Sequence, residues 1–100
     1  MISKSYDEFL VNQLSDPELA AEYLTAAAED GSREQLMIAL RNVAEAHGGL
    51  GVIAGITNLN RQNMYKILSP DGNPTLTTLL ALLGPLGLKL AFTSMEKEAV

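Results

Sequence analysis

At five places in this chain a Ser, Asp, Asn or Thr stands just before apolar residues that recur every three to four positions. Such a side chain accepts a hydrogen bond from a free backbone N–H at the first helical turn, so each place reads as a helix start. Starts this closely spaced leave room only for short helices, and short helices are stable only when packed on one another. The first start is Ser5-Tyr6-Asp7-Glu8, a reciprocal capping box, with a helix expected from Tyr6 to about Leu14 that uses Phe9, Leu10 and Leu14 as contacts. The second is Asp16-Pro17-Glu18. Asp16 suits the cap, Pro17 has its φ preset, and Glu18 favours the positive helix end. Leu19, Ala20, Tyr23, Leu24 and Ala27 follow at helical spacing, and Gly31 stops the helix after Asp30. Ser32, with Gln35 three residues on, opens a third helix from Arg33 to His47, whose inner stripe is Leu36, Leu40, Val43, Ala44 and His47. Gly48-Gly49 ends it.

Residues 50–68 carry the functional signal. Val52 to Thr57 is a short apolar segment, and Asn58-Leu59-Asn60 is a tight turn. Asn60 then caps a second short helix, Arg61 to Leu68, with Met64, Ile67 and Leu68 inward. Two short helices on a three-residue turn have the form of a helix-turn-helix. That geometry needs a small residue where the helices cross (Ala54), a residue tolerant of positive φ in the turn (Asn58) and an apolar plug after it (Leu59). Asn60, Arg61, Gln62, Asn63, Tyr65 and Lys66 remain at the start and outer face of the second helix. Asn and Gln suit adenine edges, Arg suits guanine, and Lys and Tyr suit phosphates. An ordinary solvated helix face would also look polar; the turn before it and the capped helices around it favour the DNA reading.

Ser69-Pro70-Asp71-Gly72-Asn73-Pro74 is dense in turn formers. Thr75 caps the next helix, with Leu76, Leu79, Leu80, Leu83 and Leu86 expected inward. Pro85 lacks an N–H and should kink or stop that helix. Leu88 to Thr93 alternates partly at period two and reads as a short strand, and Ser94 to Val100 as a frayed tail.

Composition narrows the function classes. An apolar share of 47% in 100 residues supports one domain with a real core and excludes general disorder. Cysteine is absent and His47 is the single histidine, which excludes a thiolate nucleophile, Cys-ligated zinc and multi-His metal sites. His47 has no nucleophile or orienting partner in the pattern, so no catalytic residue, no metal and no cofactor are expected. No apolar run reaches the length of a membrane span, and Met1-Ile2-Ser3-Lys4 has no signal-peptide stretch behind it, so a cytoplasmic location without membrane contact is expected. The net charge of −5 argues against nucleic acid until its placement is considered. Residues 1–30 carry seven acids and one base, while residues 31–100 carry five acids and six bases. An acidic arm can face a basic protein while a near-neutral body touches DNA.

Asp16-Pro17-Glu18, Ala21-Glu22-Tyr23-Leu24, Glu29-Asp30-Gly31, Ala39-Leu40-Arg41-Asn42-Val43-Ala44, His47-Gly48-Gly49, Leu59 to Ser69, and Gly72-Asn73-Pro74-Thr75-Leu76 together resemble addiction-module antidote proteins. These are HigA-type antitoxins with an Xre-like helix-turn-helix. The resemblance spans about residues 6–93, and the Gly-Asn-Pro-Thr-Leu run is its most specific part. It implies a chain that blocks a RelE-like mRNA-cleaving toxin by direct contact and represses its own operator as a homodimer.

The expected fold is therefore all-α. It is a lambda-repressor-like helix-turn-helix bundle of five to six helices with a short C-terminal strand. Residues 1–31 form an acidic helical extension, 32–93 the DNA-binding domain and 94–100 the tail. The helix from Arg61 would enter the major groove, where Arg61, Gln62 and Tyr65 read bases; Asn63 stands in the same DNA-facing set. Asn60, Lys66, Thr75 and Arg41 would hold phosphates. The expected partners are operator DNA, a cognate toxin and a second copy of the chain. The alternative is a stand-alone Xre-type repressor with no toxin.

Overall fold

A computed structural model describes residues 12–95. Among them every regular element is helical. The elements are α1 (Pro17–Glu29), α2 (Arg33–Ala46), α3 (Leu50–Thr57), α4 (Arg61–Ile67), α5 (Leu76–Leu83) and a closing 3-10 turn, Gly84–Leu86. Residues 12–14, the end of the expected first helix, are helical too. The rest of that helix, its Ser5–Glu8 capping box, and residues 96–100 of the expected tail lie outside the described residues.

The caps form as the local chemistry requires. Asp16 accepts from the Glu18 N–H at 2.8 Å, Ser32 from Gln35 at 3.2 Å, Asn60 from Asn63 at 2.9 Å and Thr75 from Thr78 at 3.1 Å. Three helical segments end alike, through a residue in the left-handed region followed by a bond back five residues. Gly48 has φ 102° and the Gly49 N–H bonds Ala44; Asn58 has φ 61° and the Leu59 N–H bonds Ala54; Gly87 has φ 78° and the Leu88 N–H bonds Leu83. His47 caps α2, with its Nδ1–H donating to the Val43 carbonyl at 3.0 Å, which is a structural role.

The helices wrap one apolar core. α1 packs on α2 and contributes Ala20, and a 2.8 Å hydrogen bond from Asn42 to the Tyr23 hydroxyl ties the two together. α2 buries Met37, Leu40, Val43 and Ala44; Leu36, expected in that stripe, is only partly covered. α3 begins earlier than its apolar run implies, at Leu50, and buries Leu50, Ile53 and Ala54 against α2, α4 and α5. Met64 and Leu68 enter the core from the far side, and Leu82, Leu83 and Leu86 close it. Each fully buried side chain of this size contributes about 1.5–3 kcal/mol of transfer free energy. The C-terminal turn is seated on α1, where Gly87 lies so close to Pro17 that a Cβ would stand 3.2 Å from its ring.

Two expectations do not hold. Leu76 and Leu80 face solvent, at 62% and 48% exposure, rather than the core. α5 is apolar nearly all round, so its sequence names no inner face; contact with α3 turns Leu82 and Leu83 inward and leaves the opposite side bare. Leu88–Thr93 is irregular rather than a strand. A lone extended segment has no ladder to satisfy its N–H and C=O groups, and no strand stands beside it among the described residues. The expected break at Pro85 does occur, as α5 tightens into the 3-10 turn at Gly84.

Gly55 sits inside α3, exposed, without positive φ and with open space where a Cβ would go. Gly55→Ala should therefore stabilise the protein by about 1 kcal/mol, because the unfolded chain loses freedom and the helix gains a better former. A thermal melt should move up by about 4–8 °C. A lower melting temperature would mean that the α3 backbone is strained at this point.

Candidate nucleic-acid interface

α3 and α4 meet at a turn that the residues themselves dictate. Asn58 takes the left-handed conformation at φ 61°, which an Asn tolerates and a β-branched residue does not. Leu59 then dips toward the core and is partly covered. Asn60 returns to extended backbone, at φ −71° and ψ 126°, and caps α4 through Asn63. Ala54, only 3% exposed, is the small residue at the crossing. Met64 is fully buried on the inner face of α4, so the outer face is fixed by default.

That outer face carries Asn60, Arg61, Gln62, Asn63, Tyr65 and Lys66, all exposed. Asn60, Gln62, Asn63 and Lys66 line one open concavity at the start of the helix. Arg61 lies back across α3, against Gly51, where a Cβ would stand 3.1 Å from its Nε. Its guanidinium carbon is also 6.0 Å from the centre of the Tyr65 ring. Arg41, from α2, approaches the same ring at 5.4 Å. One tyrosine thus gathers two guanidinium groups from different helices, an arrangement in which the ring quadrupole favours both cations. Thr75 is exposed at the start of α5, and its hydroxyl is engaged in capping through Thr78.

Arg61, Tyr65 and Arg41 therefore form a single basic corner, while Lys66 lies with Asn60, Gln62 and Asn63 in the adjoining concavity. Thr75 belongs to a different helix start, that of α5. The Arg41–Tyr65–Arg61 cluster was the part least visible in the sequence. Arg41 and Tyr65 are 24 positions apart, and only the packing of α2 near α4 makes them neighbours. The pattern includes donors and acceptors suited to base edges, flexible cations suited to phosphates, and a rigid helix to hold them.

Comparison with known proteins gives the family. A family model described as "Probable addiction module antidote protein" matches residues 4–94. A Haemophilus influenzae protein described only as uncharacterized is 29% identical over 86 residues, covering 86% of each chain. No solved structure matches. With nearly its whole length matched by that model, this chain belongs to the family of probable addiction module antidote proteins.

Proposed function

We propose that the chain is the antitoxin of a type II toxin–antitoxin module. It neutralises a RelE-like mRNA-cleaving toxin by protein–protein contact, and as a homodimer it binds its own operator to repress transcription. Membership of the antidote family supports the toxin half of this reading. The observation that carries the DNA half is the exposed row Asn60, Arg61, Gln62, Asn63, Tyr65 and Lys66 on a helix held by a left-handed turn at Asn58. In this reading α3 and α4 are the helix-turn-helix of a lambda-repressor-like domain, and α4 lies in the major groove. Arg61, Gln62 and Tyr65 read base edges, with Asn63 beside them, while Asn60, Lys66, Thr75 and Arg41 hold phosphates.

The dimer follows from energetics. A seven-residue helix on a chain of net charge −5 makes too few contacts to bind one half-site tightly. Two copies on a two-fold operator, with half-sites about 34–36 Å apart, double the contacts at a fixed spacing. Leu76 and Leu80, exposed one turn apart on α5, offer apolar surface for a second copy to cover.

Two measurements test the reading. The product of the adjacent reading frame should co-purify with this chain, and the upstream DNA should shift on a gel with affinity that falls steeply as salt is added. DNA binding without a toxin partner would instead identify a stand-alone repressor. Toxin binding with no salt-dependent DNA affinity would leave a protein adaptor.

A further inference from the structure

Away from the basic corner, a groove of about 370 Å³ runs between α1, α2, α5 and residues 88–93. Its floor is aliphatic: Leu24 of α1, Leu36 and Leu40 of α2, Leu79 and Leu83 of α5, and Leu88; the one charged residue of its lining is Lys89, exposed on the 88–93 side opposite α1. Its lip on α1 is a row of short side chains, Ala21, Thr25 and Ala28, which recur at helical spacing and are exposed. Small residues on a lip let another backbone come close. The next row round the same helix is Glu18, Glu22 and Glu29, all exposed, and α1 carries no basic residue. Going outward from the core, α1 thus presents leucine, then small residues, then carboxylates. With three carboxylates along the α1 side against the single cation Lys89 on the other, the slot favours a helix with an apolar stripe and Lys or Arg along the edge that meets α1.

We propose that this groove is the surface that captures the toxin, by taking a basic amphipathic helix of the toxin whose apolar side chains lie on the leucine floor and whose cations face Glu18, Glu22 and Glu29. This inference rests on the reading of the chain as an antitoxin and names the surface through which it acts. The helix α1 is about 20 Å long, enough for some three turns of a partner helix laid alongside. The charge pattern disfavours the other occupants. Residues 1–11 of this chain carry Asp7 and Glu8 against Lys4, and a second copy brings its own net charge of −5 and the same acidic ridge. The groove is also built from different residues than the α4 face, so one chain can hold toxin and DNA on separate surfaces.

The test uses the full chain and the purified product of the adjacent reading frame, with binding kinetics measured at low and high salt. Glu22→Lys with Glu29→Lys reverses the ridge at exposed positions. Ala21→Trp fills the slot without changing charge. The ridge variant should associate about tenfold more slowly at low salt and lose most of its salt dependence. The slot variant should raise Kd by about tenfold or more, chiefly through faster dissociation. Both should keep wild-type helical content and operator affinity, which separates loss of the groove from loss of the fold. If both variants bind the toxin as the wild type does, the groove is not the capture surface. If they alter only the mass of the free protein in solution, its occupant is a second copy and the proposal falls. If the wild type itself binds no toxin, the antitoxin reading fails and this inference fails with it.

Discussion

Gly72→Ala is expected to destabilise the protein by about 3–5 kcal/mol, a large part of the 5–15 kcal/mol that holds a domain of this size together. Gly72 is buried in the turn between α4 and α5, and its N–H donates to the Ser69 carbonyl at 2.7 Å. A Cβ there would overlap the backbone carbonyl of Ile67, and the Ser69 carbonyl oxygen would stand 2.9 Å away. Neither obstacle is a flexible side chain that can swing aside, so the turn has to open. Opening it moves the end of α4 away from the start of α5 and loosens Leu68 and Leu82 in the core. Urea unfolding should show a midpoint well below wild type with a similar slope. Gly84→Ala is the control: Gly84 has helical φ and ψ and open space around its Cα, so its midpoint should barely move. Equal midpoints for the two variants would refute the steric account of Gly72. The same geometry gives a physical reason for the Gly in the Gly-Asn-Pro-Thr-Leu run.

Arg61→Ala is expected to weaken operator binding by about 1–3 kcal/mol, roughly a 5- to 150-fold rise in Kd. The substitution removes the cation that lies between Gly51 and Tyr65 at the exposed end of α4. It leaves the Asn60 cap and the buried Met64 in place, so the helix should persist. The loss should be greatest on the preferred sequence and small on unrelated DNA, because a base-reading side chain contributes discrimination. Lys66→Ala should behave differently, weakening all sequences alike and lowering the salt slope by about one. Toxin binding should be unaffected by either change. An Arg61→Ala protein that shifts its operator at wild-type concentration would remove Arg61 from the reading surface.

Much of this architecture was legible before any coordinates. Asp16, Ser32, Asn60 and Thr75 each bond an N–H two or three residues away, so their positions alone set where α1, α2, α4 and α5 begin. Asn58 and Gly31 mark turns for the same local reason, their ease in the left-handed region. The polar row on α4 was legible too, since Met64 must turn inward and period alone puts Arg61, Gln62 and Tyr65 elsewhere.

Local chemistry along the chain therefore specifies the framework: helix starts, helix stops, the left-handed turn and the polar edge of α4. The rest came from the packing of the helices. That packing chose which side of the largely apolar α5 is buried, exposing Leu76 and Leu80. It left Leu88–Thr93 without a strand to pair with among the described residues, and it drew Arg41 to Tyr65. It also opened a leucine-floored groove beside the acids of α1. The division has one physical cause. Caps and turns are hydrogen bonds between near neighbours in the chain, whereas burial, pairing and grooves depend on which helix lies against which, and that is settled only by the packing of the whole.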